Sequence, residues 1–308
     1  MVSERIVRTS CYPDLMRGEK RLKVLCFNPT DKCNLRCSFC PFQHMRANVL
    51  ETERAFLALE GAKVLGTKAI VFSGGGEPLV HPDISDIVRQ AQEMRFHTAL
   101  ITNGTMLHRL GDEALSGFSW VRVSINSGRR LYEKIHGADL YDRAIDNTYR
   151  LKDFPLVRRG VNSVWGSDSE IEDVLSLVKD LEGAGLNYFR LVPDRCTNMG
   201  KPVREIPTEL FSAKVDDLNI LVEPDRCVQV PRKCWTCWYK PVLEADGNLY
   251  PCPQNRKAMC SIESMVEFWN RQRDLIDTEA CQFCFSADVN EFMSQREESL
   301  EADDLCFL

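Results

Sequence analysis

The sequence lacks the features that mark several large classes of protein. It has no run of about 18 uncharged apolar residues and no apolar segment in the N-terminal stretch MVSERIVRTS, so neither a transmembrane helix nor a secretory signal is predicted. It has no block of five or six basic residues, and its formal net charge is -6, which does not favour general nucleic-acid binding. With 44% hydrophobic and 27% charged residues, the sequence predicts a soluble, cytoplasmic globular protein with no nucleic-acid and no membrane partner.

Cysteine, by contrast, is abundant, with 14 residues in a chain of 308. Disulfides are rare in the cytoplasm, so this density indicates metal or redox chemistry. Most of these cysteines fall into two groups. The first is Cys33, Cys37 and Cys40, and the second, late group is Cys227, Cys234, Cys237, Cys252, Cys260, Cys281 and Cys284. Two separate metal sites are therefore the first hypothesis.

Between residues 20 and 195 the chain alternates short β-like runs with segments of helical period. The strands are predicted at Leu22 to Asn28, Lys68 to Ser73, His97 to Thr102, Trp120 to Asn126, Arg159 to Val164 and Asn187 to Val192. Such alternation predicts an α/β fold of parallel βα units, either an open doubly wound sheet or part of a βα barrel. Both place their active sites at the carboxyl ends of the strands. Ser167 and Glu170 have the spacing of a capping box at the start of one helix.

The pattern changes after Val192, because eight of the 14 prolines fall between residues 193 and 253. We expect a bridging region at 196–233, a small Cys-rich β-hairpin/helix module at 234–290 and a tail at 291–308. Within the module, Asp246-Gly247 predicts a hairpin turn, and a helix is expected from Ile262 to about Leu275.

The first cysteine group, CNLRCSFC, places three thiols within eight residues directly after the first predicted strand. Three cysteines can bind three irons of a four-iron cluster and leave the fourth iron open. Zinc is the alternative, and it would need a fourth donor, for which His44 is the nearest imidazole.

This segment resembles the CX3CXφC motif of radical S-adenosylmethionine (SAM) enzymes, and Gly74-Gly75-Gly76-Glu77-Pro78 resembles their GGEP motif. The resemblance implies a partial (βα)6 TIM-like barrel, a SAM-binding [4Fe-4S] cluster on Cys33, Cys37 and Cys40, and an external electron donor such as flavodoxin or ferredoxin. The reduced cluster cleaves SAM to a 5'-deoxyadenosyl radical, which abstracts a substrate hydrogen atom.

By the same resemblance, strand ends on the barrel contact the cofactor. The residues expected to bind SAM are Gly75, Gly76, Glu77, Asn103, Ser124, Asn126 and Arg190. Glycines let a backbone approach a ligand closely, and the carboxylate of Glu77 can accept hydrogen bonds from an ammonium group. Asn126 stands where the family often has Asp, and a structural ion pair is the alternative role for Arg190.

The second group resembles the twitch or SPASM domain of radical SAM enzymes, in the stretch CWYKPVLEADGNLYPC and the helix before Cys281. The resemblance implies an auxiliary [4Fe-4S] cluster bound by Cys237, Cys252, Cys281 and Cys284. A zinc site from Cys234-X2-Cys237 and Cys281-X2-Cys284 is the alternative, but 43 residues separate the two pairs and Cys252 stays unexplained.

We expect such an enzyme to act on a small molecule, because only about 20 residues precede the first strand and a peptide-recognition domain has no room there. The first hypothesis is oxidation of a secondary alcohol on a sugar or aminocyclitol. The second is epimerisation, with Cys234, Cys260 or Cys227 as the hydrogen-atom donor. A peptide-modifying enzyme and a non-catalytic iron-sulfur or zinc protein are further alternatives.

Overall fold

The computed structural model describes residues 21–43, 47–194, 204–216, 218–222, 230, 233–271, 276–279, 281, 284 and 290. Six strands form the centre: β1 (Val24–Phe27), β2 (Ala69–Phe72), β3 (His97–Thr102), β4 (Phe118–Ser124), β5 (Arg158–Trp165) and β6 (Tyr188–Pro193). The helices between them are α1 (Thr52–Val64), α2 (Ile84–Glu93), α3 (Asp112–Ser116), α4 (Arg129–His136), α5 (Tyr141–Arg150) and α6 (Ile171–Asp180). Each strand lies within two residues of its predicted bounds.

The order of the strands distinguishes the two predicted architectures. β1 to β6 are all parallel, and each lies beside its predecessor in the sequence. A doubly wound sheet reverses its strand order at a switch point, whereas a βα barrel does not. The chain therefore has the α/β fold of a partial TIM-like barrel, and its sheet stays open.

Side chains alternate between the two faces of this sheet. In β4, Val121 and Val123 are fully buried in the core beneath the helices, so Arg122 between them lies on the inner face. The pairing register places Asn162 of β5 beside Arg190 of β6 on the same inner face. The interior of the barrel is therefore lined with polar and basic side chains at β4 to β6.

The C-terminal part adds strands to both edges of the sheet. They are β7 (Lys214–Val215) and β8 (Leu218–Val222) beside β6, and β10 (Val242–Leu243), β11 (Asn248–Tyr250) and β12 (Cys260–Ser261) beside β1. A separate pair is formed by β9 (Lys233–Cys234) and β13 (Ile276–Asp277), and two short helices are α7 (Thr236–Tyr239) and α8 (Met265–Arg271). β10 pairs in parallel with β1, so the sheet of the Cys-rich module is continuous with that of the barrel.

Two local predictions have clear outcomes. The hairpin turn is confirmed, since Gly247 has a φ of 81° between β10 and β11, a conformation that favours glycine. The capping box is wrong, because Glu170 is itself the N-cap residue of α6, makes no side-chain cap and pairs with Arg130 of α4. The helix expected from Ile262 begins as a 3₁₀ turn and continues as α8 to Arg271, and residues 272–275 lie outside the described ranges.

None of the helices in the described ranges is long and apolar enough to cross a membrane.

Candidate active site

The first thiol group lies on the loop that follows β1. Cys33, Cys37 and Cys40 are all half-buried. The loop is folded on itself, since the backbone N–H of Cys40 donates to the carbonyl of Cys37 at 3.1 Å. The N–H of Leu35 lies 3.4 Å from the Cys33 sulfur, so it donates to that sulfur as it would to a thiolate.

This loop is held against the C-terminus of α4. The backbone N–H groups of Arg36 and Ser38 donate to the carbonyls of His136 and Ile135, both at 2.8 Å. Gly137 ends the helix with a φ of 73°, and a Cβ there would lie 3.0 Å from the Arg36 carbonyl oxygen. A glycine is thus needed both for the helix end and for the approach of the cysteine loop.

The glycine-rich turn after β2 packs against the same loop from the other side. A Cβ on Gly76 would lie only 2.2 Å from the carbonyl oxygen of Lys32, the residue before Cys33. The N–H of Glu77 donates to that carbonyl at 2.9 Å. At Gly75, by contrast, a Cβ would make only ordinary contacts at 3.6 Å. The close backbone approach at Gly76 is therefore made to the protein's own cysteine loop.

Glu77 is buried, with 2% of its surface exposed, and its carboxylate joins the ends of β2 and β3. It accepts hydrogen bonds from the hydroxyl of Thr102 at 2.7 Å and from the backbone N–H groups of Asn103 at 2.7 Å and Leu79 at 3.2 Å. Burial raises the pKa of Glu77 to about 7, although the three donors oppose the rise.

Asn103 connects the end of β3 to the cysteine loop. Its Nδ2 donates to Oδ1 of Asn34 at 2.9 Å, and Asn34 in turn donates to the hydroxyl of Thr105 at 2.8 Å. Asn34 lies inside the CNLRCSFC segment, directly after Cys33. The side chains of the β3 end thus fix the first turn of the thiol loop.

Ser124, Asn126 and Arg190 lie near the ends of β4 and β6. Asn126 is buried, and its Oδ1 accepts a hydrogen bond from the N–H of Val164 at 2.9 Å, which joins β4 to β5. Ser124 pairs with Asn162, which pairs with Arg190, so these three side chains form one row across the inner face. Ser124 and Arg190 are half-buried.

His136 is a site residue that no sequence motif indicates, because it lies 99 residues from its partner. Its Nδ1 is 3.4 Å from the sulfur of Cys37, and its Nε2 accepts from the backbone N–H of Asn126 at 3.2 Å. Its ring stacks on Tyr132, with centroids 4.1 Å apart and planes inclined by 22°. Burial lowers the pKa of His136 to about 3, so the ring is neutral.

A cavity of about 130 Å³ opens beside the thiol loop, where β5 and β6 end. Its lining includes Ser38 and Phe39 of the cysteine motif, Val164 of β5, and Asp168 and Asp194 in the loops beyond. It therefore lies at the carboxyl ends of the strands, where barrel active sites are found.

The second thiol group is formed by residues distant in sequence. The pKa of Cys281 is raised first by burial and then by the neighbouring charges of Cys252, Cys234 and Cys284, so these sulfurs lie close together. Cys237 is fully buried and its thiol donates to the carbonyl of Cys234 at 2.8 Å. A hydrogen bond with Cys237 lowers the pKa of Cys234, whereas burial raises that of Cys237. Cys234 thus joins the four cysteines predicted from the motif.

Two buried asparagines direct amide groups at these sulfurs. Nδ2 of Asn255 lies 3.8 Å from the sulfur of Cys281, and its backbone N–H lies 3.4 Å from that of Cys252. Nδ2 of Asn290 lies 3.4 Å from the sulfur of Cys284, while its Oδ1 accepts from backbone N–H groups at the start of α7 at 2.7 and 2.9 Å. Sequence reasoning missed both residues.

Cys260 is placed differently from the other late cysteines. It lies in β12, where it pairs with Leu249, and it packs against the hydrophobic core. Burial raises its pKa to about 12 and is the sole cause of that shift. Cys227 and His44 lie outside the described residues.

The two thiol groups lie at opposite ends of the neighbouring strands β1 and β10. The Cys33 loop follows β1, whereas Cys237 precedes β10, which runs parallel to β1. Cys252 follows β11, which runs antiparallel to β10, so Cys252 lies at the same strand end as Cys237. β1 has four residues, about 13 Å of strand, and this length of strand separates the two ends.

The donor chemistry at the first loop fits a SAM-binding four-iron cluster: it has three thiols, one of which accepts a backbone N–H hydrogen bond and another of which contacts the ring of His136. Among the described residues, no three His, Cys, Asp or Glu side chains converge on a position for one metal ion. A four-iron cluster assigns its thiolates to different irons, so its ligands need not meet at one point.

Comparison with known proteins agrees with this geometry. The family profile of the Radical SAM superfamily matches residues 27–189. The "Probable GTP 3',8-cyclase" of Pyrococcus abyssi is 31% identical over 281 residues, which cover 80% of this chain and 90% of that protein. The protein with the same name from Saccharolobus islandicus is 28% identical over 190 residues, and the match spans only 61% of its length.

Two solved structures share the fold. SuiB of Streptococcus suis bound to S-adenosylmethionine has a TM-score of 0.63 at 16% identity, covering 81% of this chain and 66% of that one. anSMEcpe with bound AdoMet and a peptide has a TM-score of 0.58 at 15% identity, covering 87% of both chains. The matched profile spans more than half of the sequence and includes both the cysteine loop and the glycine-rich turn. The chain belongs to the radical SAM superfamily.

Proposed function

We propose that this chain is a two-cluster radical SAM oxidoreductase that removes two electrons from a small polar metabolite, such as a sugar or aminocyclitol. Membership of the superfamily implies a [4Fe-4S] cluster and SAM. We assign that cluster to Cys33, Cys37 and Cys40, whose loop is held by the Gly76 turn and by α4. When bound and reduced, this cluster supplies the electron that cleaves SAM to the radical that abstracts a hydrogen atom.

The residues proposed to bind SAM divide into two kinds. A Cβ at Gly75 would make no contact shorter than 3.6 Å, and Ser124 and Arg190 lie on the inner face, so we assign these three to direct contact with the ligand. Glu77 and Asn126 use their oxygens for buried protein hydrogen bonds. We assign them, with Gly76 and Asn103, to positioning the loops that surround the cofactor, and the ammonium contact of Glu77 stays a prediction.

The observation that carries the proposal is the convergence of five thiols in the C-terminal module. Cys237, Cys252, Cys281 and Cys284 suffice to ligate a four-iron cluster fully, and Cys234 is a fifth donor beside them. A fully ligated cluster has no open iron for a substrate, so its remaining uses are electron transfer and shaping of the substrate pocket. We therefore propose an auxiliary [4Fe-4S] cluster that accepts the second substrate electron.

The reaction balances on that basis. A carbinol C–H hydrogen atom would be removed by the radical derived from SAM, the hydroxyl proton would go to a base of this chain, and an auxiliary cluster held by the second thiol group would accept the remaining electron. Asp194 lines the cavity at the carboxyl edge and is our candidate base. Arg122, Asn162 and Arg190 on the inner face favour a polar or anionic substrate.

The placement of the remaining cysteines bears on the epimerase alternative, in which Cys234 or Cys260 returns a hydrogen atom. Cys234 stands among the five thiols, which favours a ligand role, and Cys260 packs against the core in β12. Solvent deuterium in the product, lost on Cys260→Ala, would support epimerisation.

A second candidate is cyclisation of a purine nucleoside triphosphate. It is favoured by the relative named "Probable GTP 3',8-cyclase" that is 31% identical over 80% of this chain. It differs from oxidation in its product, because cyclisation keeps the oxidation state of the substrate.

Anaerobic reconstitution followed by iron and sulfide counting tests the proposal. About eight irons per chain should fall to about four in the Cys33/Cys37/Cys40→Ala triple variant. About four irons falling to none would refute the auxiliary cluster. Incubation with SAM, a reductant (dithionite or reduced flavodoxin) and an aminocyclitol should then give one 5'-deoxyadenosine per ketone, and a parallel incubation with GTP in place of the aminocyclitol should give no cyclised nucleotide. A cyclised nucleotide instead would replace the first candidate by the second.

A further inference from the structure

His136 lies between the cysteine loop and the chain segment that follows β4, which are two parts of the first site. It is the last residue of α4, is 1% exposed, and no sequence motif includes it. Its Nδ1 lies 3.4 Å from the sulfur of Cys37, and its Nε2 lies 3.2 Å from the backbone nitrogen of Asn126. Its carbonyl oxygen also accepts from the N–H of Arg36, inside the cysteine motif.

The partner at Nε2 determines which nitrogen carries the proton. A backbone N–H can only donate, so Nε2 must present its lone pair to Asn126. A neutral imidazole has one N–H, which is therefore on Nδ1 and points at the sulfur of Cys37. The assignment follows from the geometry of two contacts on one ring.

The ring is also fixed in orientation. Tyr132, one helical turn earlier, stacks on it at 4.1 Å, and Gly137 ends the helix directly after it. Rotation of the ring would break the contact to Asn126 as well as that to Cys37, which are the two ends of the same hydrogen-bonded chain. A donor held in this way keeps its direction whether or not the thiolate carries extra charge.

We propose that His136 is a positioning residue that donates an N–H···S hydrogen bond to the thiolate of Cys37 and raises the reduction potential of the SAM-binding cluster. This inference rests on the proposed function, in which Cys37 is a cluster ligand. Reduction adds negative charge to the cluster and its sulfurs, so a fixed donor stabilises the reduced form more than the oxidised form. The same contact fixes the orientation of the Cys37 side chain.

The test compares two substitutions in the reconstituted protein. His136→Phe keeps a ring to stack on Tyr132 but has no N–H, whereas His136→Asn places an amide N–H at the atom that corresponds to Nδ1. EPR-monitored redox titration should show a lower midpoint in His136→Phe. The expected effect is an approximately tenfold lower ratio of reduced to oxidised cluster at fixed potential, about 59 mV for one electron. His136→Asn should restore most of the difference.

His81 provides a matched control. It is also a buried histidine, 1% exposed, but its Nε2 contacts the carbonyl of Leu50 at 2.7 Å and no sulfur. His81→Phe should therefore leave the midpoint unchanged, even where it lowers the melting temperature. A wild-type midpoint in His136→Phe, or equal shifts in the Phe and Asn variants, would show that the histidine has only a structural role.

If His136→Phe does not assemble a cluster, a second measurement on the wild-type protein tests the inference. Pulsed EPR on the reduced wild-type protein labelled with ¹⁵N-histidine should detect a histidine nitrogen coupled to the cluster. The signal should persist in His44→Ala, which removes the other histidine close in sequence to the motif. No coupling would overturn the inference. Absence of iron from the wild-type protein would instead refute the proposed function, and the inference with it.

Discussion

The glycine-rich turn offers a sharp test of how the site is built, because its two central glycines differ in their surroundings. In Gly76→Ala the new Cβ would lie 2.2 Å from the carbonyl oxygen of Lys32 and 2.6 Å from the carbonyl carbon of Asp31. Both are backbone atoms, so no side-chain rotation relieves the clash, and the cysteine loop must move by about 1 Å. In Gly75→Ala the nearest atoms lie at 3.6 Å, an ordinary contact.

The expected cost of Gly76→Ala has two parts. Forced overpacking costs about 1–3 kcal/mol, and loss of the hydrogen bond from Glu77 to Lys32 adds about 1 kcal/mol. A total of about 2–4 kcal/mol lowers the melting temperature by about 3–6 °C for a chain of this size. Because Lys32 precedes Cys33, we also expect fewer irons per chain after reconstitution.

Thermal unfolding of the iron-free protein and iron counting after reconstitution measure the two effects separately. Gly75→Ala is the matched control, and its melting temperature and iron content should stay near wild type. If SAM affinity falls in Gly75→Ala while iron content does not, the proposed cofactor contact at Gly75 is supported. Equal stability and equal iron content in Gly76→Ala and wild type would refute the packing argument.

Three further predictions follow from buried groups. The raised pKa of Glu77, about 7 against an ordinary 4.5, contributes stability that is present below about pH 4.5 and lost as the pH rises through about 7. The raised pKa corresponds to about 3 kcal/mol. The free energy of unfolding, measured with denaturant, should therefore fall less between about pH 5 and 8.5 in Glu77→Gln than in wild type, and equal falls would contradict this prediction. Cys234→Ala should lower the iron content or alter the EPR spectrum of the auxiliary cluster, whereas Cys260→Ala should do neither; the reverse result would exchange their roles. Asn126→Ala leaves the N–H of Val164 without its acceptor and should cost about 1–3 kcal/mol in chemical denaturation, and an unchanged midpoint would count against that role.

The parts of this structure that the sequence predicts are those with a local signal. β3 spans His97–Thr102 as expected, because its apolar run is bounded on both sides, and the Asp246-Gly247 turn has the residues that a two-stranded hairpin requires. The expected β4 ends two residues late, since the N–H of Asn126 contacts a histidine side chain instead of continuing the strand. Strand periodicity contains no information about such a partner.

The parts that the sequence does not predict depend on contacts between distant residues. His136 and Cys37 are in contact although they are 99 residues apart, and no sequence pattern in α4 or in the cysteine loop indicates this contact. The capping box at Ser167 and Glu170 has the correct spacing, yet Glu170 instead pairs with Arg130 on a neighbouring helix. In both cases the partner of the side chain is set by a tertiary contact, which local sequence spacing does not predict.

The position of the second thiol group relative to the first depends on one tertiary contact, the pairing of β10 with β1. A hairpin returns the chain to the end at which it began. Cys237 and Cys252 therefore lie at the same end of the β10–β11 hairpin, whichever direction β10 takes in the sheet. Because β10 runs parallel to β1, this end is opposite to the end at which the Cys33 loop follows β1. In the proposed oxidation, the electron that leaves the substrate would therefore move toward the end of the strands opposite to the SAM-binding cluster. Arg122 and Arg190 lie on the inner face along these strands, so in the proposed reaction a polar substrate bound to them would lie between the two clusters.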